Sequence, residues 1–260
     1  MNIVLLGSGN VATHLSAALD HAGYNISQVW SRSRSNAKLL ADRFQADYTD
    51  SLNDLDRGAD LYIISVVDDA IPTLVKDMSK LVDASKGLWV HTSGTTSIHV
   101  FEGFLENHGV FYPLQTFSKS KPIDFKAIPL LVEASNNEVL EFLKKIASKL
   151  SDRVEEATSD QRKSLHIAAV FACNYTNYLY AIAQELLEDH QLDFDLIRPL
   201  IKETADKIQA HNPKEVQTGP AIRGDVSIIK EHLTFLEDRN EWQEVYKLFS
   251  DRLLALSTSK

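Results

Sequence analysis

Ile3-Val4-Leu5-Leu6-Gly7-Ser8-Gly9-Asn10-Val11-Ala12 joins four apolar residues to a G-x-G-x-x-A turn, and beyond it Val11, Leu15, Ala18, Leu19 and Ala22 recur at helical spacing before Gly23. The apolar run reads as a buried strand, the turn as its exit, and Gly23 as the stop of the helix that follows. Gly7 lets the chain turn sharply off the strand, Gly9 lets backbone approach a diphosphate, and the small Ala12 lets helix pack on strand. Ser8, Asn10 and Val11 complete a loop whose N–H groups meet an anion at the positive end of the helix dipole, so that no lysine is needed for the phosphates. Glycines also punctuate ordinary turns. It is the strand before and the helix after that make this a dinucleotide site.

The 260 residues suffice for one large or two smaller domains, and the composition is that of a soluble globular chain. A formal net charge of -9 disfavours general binding to nucleic acid or to an anionic membrane, since both call for a basic patch. A single cysteine, Cys173, makes no intramolecular disulfide, and no basic then apolar leader precedes the first strand, so a cytoplasmic location is expected. The most apolar stretch, Leu165 to Ala183, carries His166, Asn174, Thr176 and Asn177 and reads as a buried helix rather than a bilayer span. No metal-ligand cluster stands out.

Strand patterns recur at Ile26 to Ser31, Leu61 to Val67, Leu88 to His91, Val110 to Leu114 and Ile128 to Val132, with helical stretches at Ser35 to Phe44 and Ile71 to Leu81. Strands alternating with helices predict an α/β fold with a doubly wound, mostly parallel sheet. From Asn136 the pattern turns helical, with Arg153 to Glu155 as a last short strand. One long helix is expected over Ser159 to Asp189, followed by Asp193 to Ala210, Asp225 to Leu236 and Trp242 to Leu256. The expected division is 1–155 for a nucleotide-binding domain and 156–260 for an all-helical domain that serves substrate and dimerisation.

NAD-type sites carry an acid at the end of the second strand, where it accepts from the ribose 2'-hydroxyl. This chain has Ser31-Arg32-Ser33-Arg34 there, hydroxyls and guanidiniums where a 2'-phosphate would lie. NADP(H) is therefore favoured over NAD(H). The alternative is a solvated loop that caps the next helix through Ser33 or Ser35.

Ligands of open α/β sheets sit outside the carboxyl ends of the strands. Val66 and Val67 are placed to pack on the adenosine or ribose side, while Asp68 or Asp69 reads as a cap for the helix near Ala70. His91-Thr92-Ser93-Gly94-Thr95-Thr96 is small and hydroxyl-rich; Ser93 and Gly94 line the nicotinamide, or the loop is a plain turn capped at Thr96 or Ser97. Tyr112-Pro113-Leu114-Gln115-Thr116-Phe117 is a candidate cleft wall.

On the long helix Lys163, His166, Val170, Cys173, Asn174 and Asn177 form a stripe at spacings of three and four. Buried polar groups need partners or a wet cleft, which makes the stripe a candidate catalytic face, with a satisfied core histidine as the alternative. Histidine titrates near neutrality, so His166 is the candidate proton donor or acceptor. Asn174 would orient substrate or cofactor amide, and Lys163 would polarise a carbonyl or stay solvated. Thr218-Gly219-Pro220-Ala221-Ile222-Arg223-Gly224-Asp225 breaks between two helices; Asp225 is placed as an N-cap, and Arg223 either reaches an anionic group or belongs to a plain connector.

With these residues assembled, the chain resembles a bacterial family of Rossmann-like proteins with a helical C-terminal domain of uncharacterised function. Its marks are GSGNVA at Gly7, HTSGT at His91, YPLQTFS at Tyr112, HIAAVFACNY at His166 and GPAIRGD at Gly219. The N-terminal part is also similar to pyrroline-5-carboxylate reductase, the deazaflavin-dependent NADP reductases and the 6-phosphogluconate and β-hydroxyacid dehydrogenases. These resemblances imply NADP use, a cleft between domains and dimers built through the helical half. The β-hydroxyacid enzymes place a Lys and an Asn one turn apart on the long helix. Here Lys163 is followed by His166 and Ile167, so their catalytic Lys has no secure counterpart.

The expected activity is NADP(H)-dependent hydride transfer to or from a C=O or C=N carbon of a small polar metabolite. The rival from another class is a dinucleotide sensor or interaction module without turnover; a deazaflavin-linked reductase is a third reading. The apolar surface of Ala169, Val170, Phe171, Tyr175, Tyr178 and Leu179 leads to an expected homodimer, against a helix buried within one subunit.

Overall fold

The computed structural model describes residues 1–81, 83 and 85–257. The first apolar run forms β1 (Asn2–Leu6), and the turn after it opens α1 (Asn10–His21). There follow β2 (Asn25–Trp30), α2 (Arg34–Ala41), β3 (Asp47–Thr49), β4 (Leu61–Ile64), α3 (Ile71–Met78), β5 (Leu88–His91), β6 (His108–Pro113), β7 (Leu130–Ala134), α4 (Asn137–Leu150) and β8 (Val154–Glu156). The strands form one eight-stranded sheet in the order β3-β2-β1-β4-β5-β6-β7-β8. Neighbours pair in parallel except β6 with β7, which run antiparallel. The doubly wound, mostly parallel sheet is thus present.

β1 explains how the sheet holds its layers. Side chains alternate across a strand, and a strand covered on both faces reads as a continuous apolar run. Ile3 and Leu5 enter one core with Leu15, Leu19, Val29 and Leu143, while Val4 and Leu6 enter the other with Trp30, Val75 and Trp89. In the second core the rings of Tyr62 and Trp89 stack with centroids 3.9 Å apart.

Several boundaries differ from the sequence reading. β4 stops at Ile64: Ser65 still donates its N–H to the Leu6 carbonyl, but Val67 lies outside the sheet and is exposed. β3 escaped the sequence reading because it is a three-residue edge strand with a single buried position. Asp68 and Asp69 do not cap α3; they lie in a single 3-10 turn, Asp68–Ala70, that leads into it. Ser33 does cap α2, and Ser97 caps the 3-10 turn Ile98–Phe101.

The helical half continues from the sheet as α5 (Ser159–Ala169), a π turn (Val170–Tyr175) and α6 (Thr176–Asp189), then α7 (Arg198–Ala210), α8 (Pro220–Arg223), α9 (Val226–Phe235) and α10 (Asn240–Ser257). Asp225 stands at the start of α9 but makes no side-chain cap; its carboxylate is taken by Arg223 at 2.8 Å instead. Among the described residues no helix is long and apolar enough to cross a membrane.

Two compact units emerge, Met1–Cys173 and Asn174–Lys260. The sheet ends at β8, where the change of pattern fell, yet α5 belongs to the first unit. The tie is Arg162, 1 % exposed, whose guanidinium lies 2.5 Å from the Glu133 carboxylate of β7.

Candidate functional site

At Gly7 the chain leaves β1 with φ near +128°, and a Cβ there would lie 2.0 Å from the carbonyl oxygen of Ser65, the residue just past the neighbouring strand β4. Only glycine fits that approach. Gly9 opens α1, its carbonyl accepting from both the Thr13 N–H and the Thr13 hydroxyl. A Cβ on Gly9 would meet nothing within 4 Å, which is the room a ligand needs to reach the backbone. Ala12 is fully buried and does the packing its size suggested. The first-turn N–H groups of α1 have no acceptor within the helix, so the turn offers an anion cradle.

The turn opens onto a cavity of about 580 Å³. Gly7, Ser8, Gly9, Asn10 and Val11 form one side of it, and the end of β2 supplies Ser31 and Arg32. Ser8 donates its hydroxyl to Ser31 at 3.0 Å, which ties the turn to that strand. Ser33 is not in the lining, since its hydroxyl is engaged with the Asn36 N–H at the start of α2. The two arginines part company: Arg32 lines the cavity, while Arg34 pairs with Asp50 at 3.1 Å and lies over the Tyr48 ring.

The carboxyl ends of β4, β5 and β6 supply most of the rest. Val66 and Val67 line the cavity together with Asp68, whose carboxylate accepts the Thr95 hydroxyl at 2.5 Å. Ser93 and Gly94 lie beside them; the Ser93 hydroxyl accepts from the Thr95 and Thr96 N–H groups and fixes the loop. Arg162 holds the same loop from beneath, donating to the Ser93 and Thr96 carbonyls. The Arg162 charge is answered by Glu133, which also accepts from the Ser159 N–H and hydroxyl.

His166 reaches this cavity one turn beyond Arg162, and its Nδ1 lies 3.1 Å from the Tyr112 hydroxyl. Burial, with the nearby Asp68 charge, pushes the Tyr112 phenol above its ordinary pKa, so it stays protonated. A Cβ on Gly94 would fall 2.6 Å from His166 Nδ1 and 3.0 Å from the Tyr112 ring, so the glycine makes room for the pair. Below them His91 is fully buried and accepts the Ser93 N–H on Nδ1. Burial first, then the Arg162 charge, pushes its pKa down to about 3, so it is neutral near pH 7.

The polar stripe of the long helix is not buried as the spacing suggested. Lys163, Cys173, Asn174 and Asn177 are exposed, and only His166 of the stripe is in the cavity lining of the first unit. The π turn widens the helix between His166 and Thr176, so a spacing of three and four does not carry a single face through it. The residues that the sequence reading missed are Asp68 as a cavity group, Tyr112 as the partner of His166, and Lys119 and Asn36 in the lining. Tyr112 was legible only as a wall residue, because its partner lies 54 residues away.

Residues 1–115 match the Rossmann-like domain model, and residues 128–253 match a domain of unknown function, DUF2520. Among solved structures, the chain is 47% identical over 98% of both chains, with a TM-score of 0.91, to a Bacteroides fragilis protein whose description as an NADP oxidoreductase is itself provisional. It is 23% identical to protein TM1727 from Thermotoga maritima, covering 99% of this chain and 98% of that one at a TM-score of 0.73. An imine reductase from Myxococcus stipitatus, solved with NADP+, shares the fold at 17% identity, covering 100% of this chain and 95% of that one, with a TM-score of 0.69. A search of the curated proteins found no match.

Proposed function

Because the chain belongs to the family that joins a Rossmann-like domain to the DUF2520 domain, we propose that it is an NADP(H)-dependent oxidoreductase acting on a C=O or C=N carbon of a small polar metabolite. The observation that carries the proposal is the meeting of the glycine turn, Arg32 and the Tyr112–His166 pair on one cavity. The backbone of Gly7 to Val11 takes the diphosphate, and Arg32 takes the 2'-phosphate by charge-assisted hydrogen bonds. A bound nicotinamide would supply or accept the hydride. Ser93 and Gly94 line the space for it, and Val66 and Val67 give the adenosine side an apolar wall.

The chain's own part in the chemistry is the proton. Tyr112 and His166 share a hydrogen bond in the cavity, so a proton given up to substrate by one is replaced through the other. His166 remains the proposed proton donor, with Tyr112 holding its ring in place. Lys163 and Asn174 are exposed and outside the cavity lining, and they have no part in the proposed chemistry.

The second unit exposes Leu196, Leu200, Phe235, Leu248 and Phe249. Apolar surface of that extent is covered in use, and a homodimer through the helical unit covers it. A monomeric mass in solution at micromolar concentration would contradict the dimer.

The activity is tested by mixing purified protein and NADPH with a panel of cyclic imines and oxo acids while following cofactor absorbance. Oxidation with at least one member supports the proposal. Tight NADPH binding without oxidation across a broad panel would make the chain a dinucleotide-binding module.

A further inference from the structure

Beyond β6 the chain turns back over the glycine turn. The segment from Gln115 to Lys121 is held there by α1 rather than by the sheet. Asn10 donates its side-chain amide to the Phe117 carbonyl at 2.9 Å, and one turn along the helix His14 donates Nε2–H to the Ser118 carbonyl at 2.8 Å. The His14 ring also stacks on Phe117 with centroids 5.4 Å apart, and Phe117 leans on Phe125 at 6.3 Å. Two side chains of one helix thus fix two successive carbonyls of the segment. The next residue, Lys119, is exposed and lines the cavity together with Gly7, Ser8 and Gly9. Among the described residues no carboxylate forms an ion pair with it.

We propose that Gln115 to Lys121 is a strap over the diphosphate end of the cavity and that Lys119 is a diphosphate ligand. The proposal rests on the dinucleotide reading above and adds a cationic ligand that the glycine turn alone does not provide. The turn offers only backbone N–H groups and the partial charge of a helix end, whereas a diphosphate carries formal charge, part of which an ammonium answers with a full opposite charge. A lysine is a compact charge on a flexible stem, suited to a phosphate approached from the side. Pinning the strap on Asn10 and His14 lowers the entropic cost of holding that stem near the ligand. Position separates its role from that of Arg32. Lys119 follows carbonyls anchored on the first turns of α1, whereas Arg32 stands just past the end of β2, after Trp30 and Ser31.

The test is a fluorescence titration of the full-length protein and of Lys119→Met, His14→Ala and Arg32→Ala with NADPH, NADH and 2'-AMP, the last of which has no diphosphate. Lys119→Met is expected to weaken NADPH and NADH by the same factor, roughly tenfold, the effect of one hydrogen bond to a charged group. Binding of 2'-AMP should be unchanged. His14→Ala, which frees the strap without removing the ammonium, should weaken the same two dinucleotides by less. Arg32→Ala should show the opposite selectivity, losing NADPH and 2'-AMP and sparing NADH. Unchanged NADPH affinity in Lys119→Met would overturn the proposal, as would a loss confined to NADPH and 2'-AMP. A wild-type protein that binds neither dinucleotide would refute the dinucleotide reading itself, an outcome separate from a Lys119 variant that binds normally.

Discussion

The Tyr112 hydroxyl and His166 Nδ1 stand 3.1 Å apart, one at the end of β6 and the other on α5, and both line the cavity that the glycine turn opens. A positioned proton donor contributes about 10²- to 10⁴-fold to rate. Once a substrate is in hand, His166→Ala should lower kcat by an amount in that range and Tyr112→Phe by somewhat less, with NADPH affinity near wild type in both. Steady-state kinetics beside a binding titration check this. Turnover that survives both substitutions would remove the pair from the chemistry.

Gly94 gives that pair an independent probe. Its missing Cβ leaves space that a methyl would fill at 2.6 Å from the His166 ring. Gly94→Ala should therefore displace His166 and lower kcat while circular dichroism and the melting transition stay close to wild type. Wild-type turnover in this variant would mean that the ring position is not critical.

The buried Arg162 pairs with the partly buried Glu133, which anchors α5 to β7 and the Ser93 loop to both. Removing one member of a buried pair leaves an uncompensated charge and costs about 3 to 5 kcal/mol. Glu133→Ala is expected to lose that much in denaturant unfolding. It should also weaken NADPH binding, because the loop that Arg162 holds lines the cavity. A loss below about 1 kcal/mol would place the pair among the weak surface bridges.

His91 makes stability depend on pH in a defined sense. Its folded-state pKa of about 3 lies below the ordinary 6.5, so between these values the unfolded chain binds a proton that the folded chain does not. Stability from this group is complete above pH 6.5 and is lost as pH falls toward 3, with a slope of about 1.4 kcal/mol per pH unit. His91→Asn, which keeps an acceptor for the Ser93 N–H, should flatten the acid side of the stability curve by that share. Parallel acid limbs in the two proteins would contradict the assignment.

Much of this was legible in the sequence, and the reasons are local. The strand, turn and helix around Gly7 are written in consecutive residues whose alternation, small size and spacing have few alternatives. That Arg32 lines the cavity followed from its place after the second strand. Arg162 escaped notice because a charged residue on a helix normally faces water, and only the folded sheet brings Glu133 to it. The direction of β7 was likewise hidden, since an apolar run looks the same whichever way it pairs. Helical spacing grouped Asn174 with His166 by assuming a regular helix, and the π turn at Val170–Tyr175 breaks that assumption.

The central claim is that this cavity takes NADP(H) and reads its 2'-phosphate through Arg32. Isothermal titration of the wild-type protein and Arg32→Ala with NADPH and NADH tests it most directly. The expected result is tighter binding of NADPH by wild type, with Arg32→Ala losing roughly ten- to a hundredfold for NADPH, about 1.5 to 3 kcal/mol, and little for NADH. Equal losses for the two dinucleotides, or no binding of either by the wild type, would contradict it.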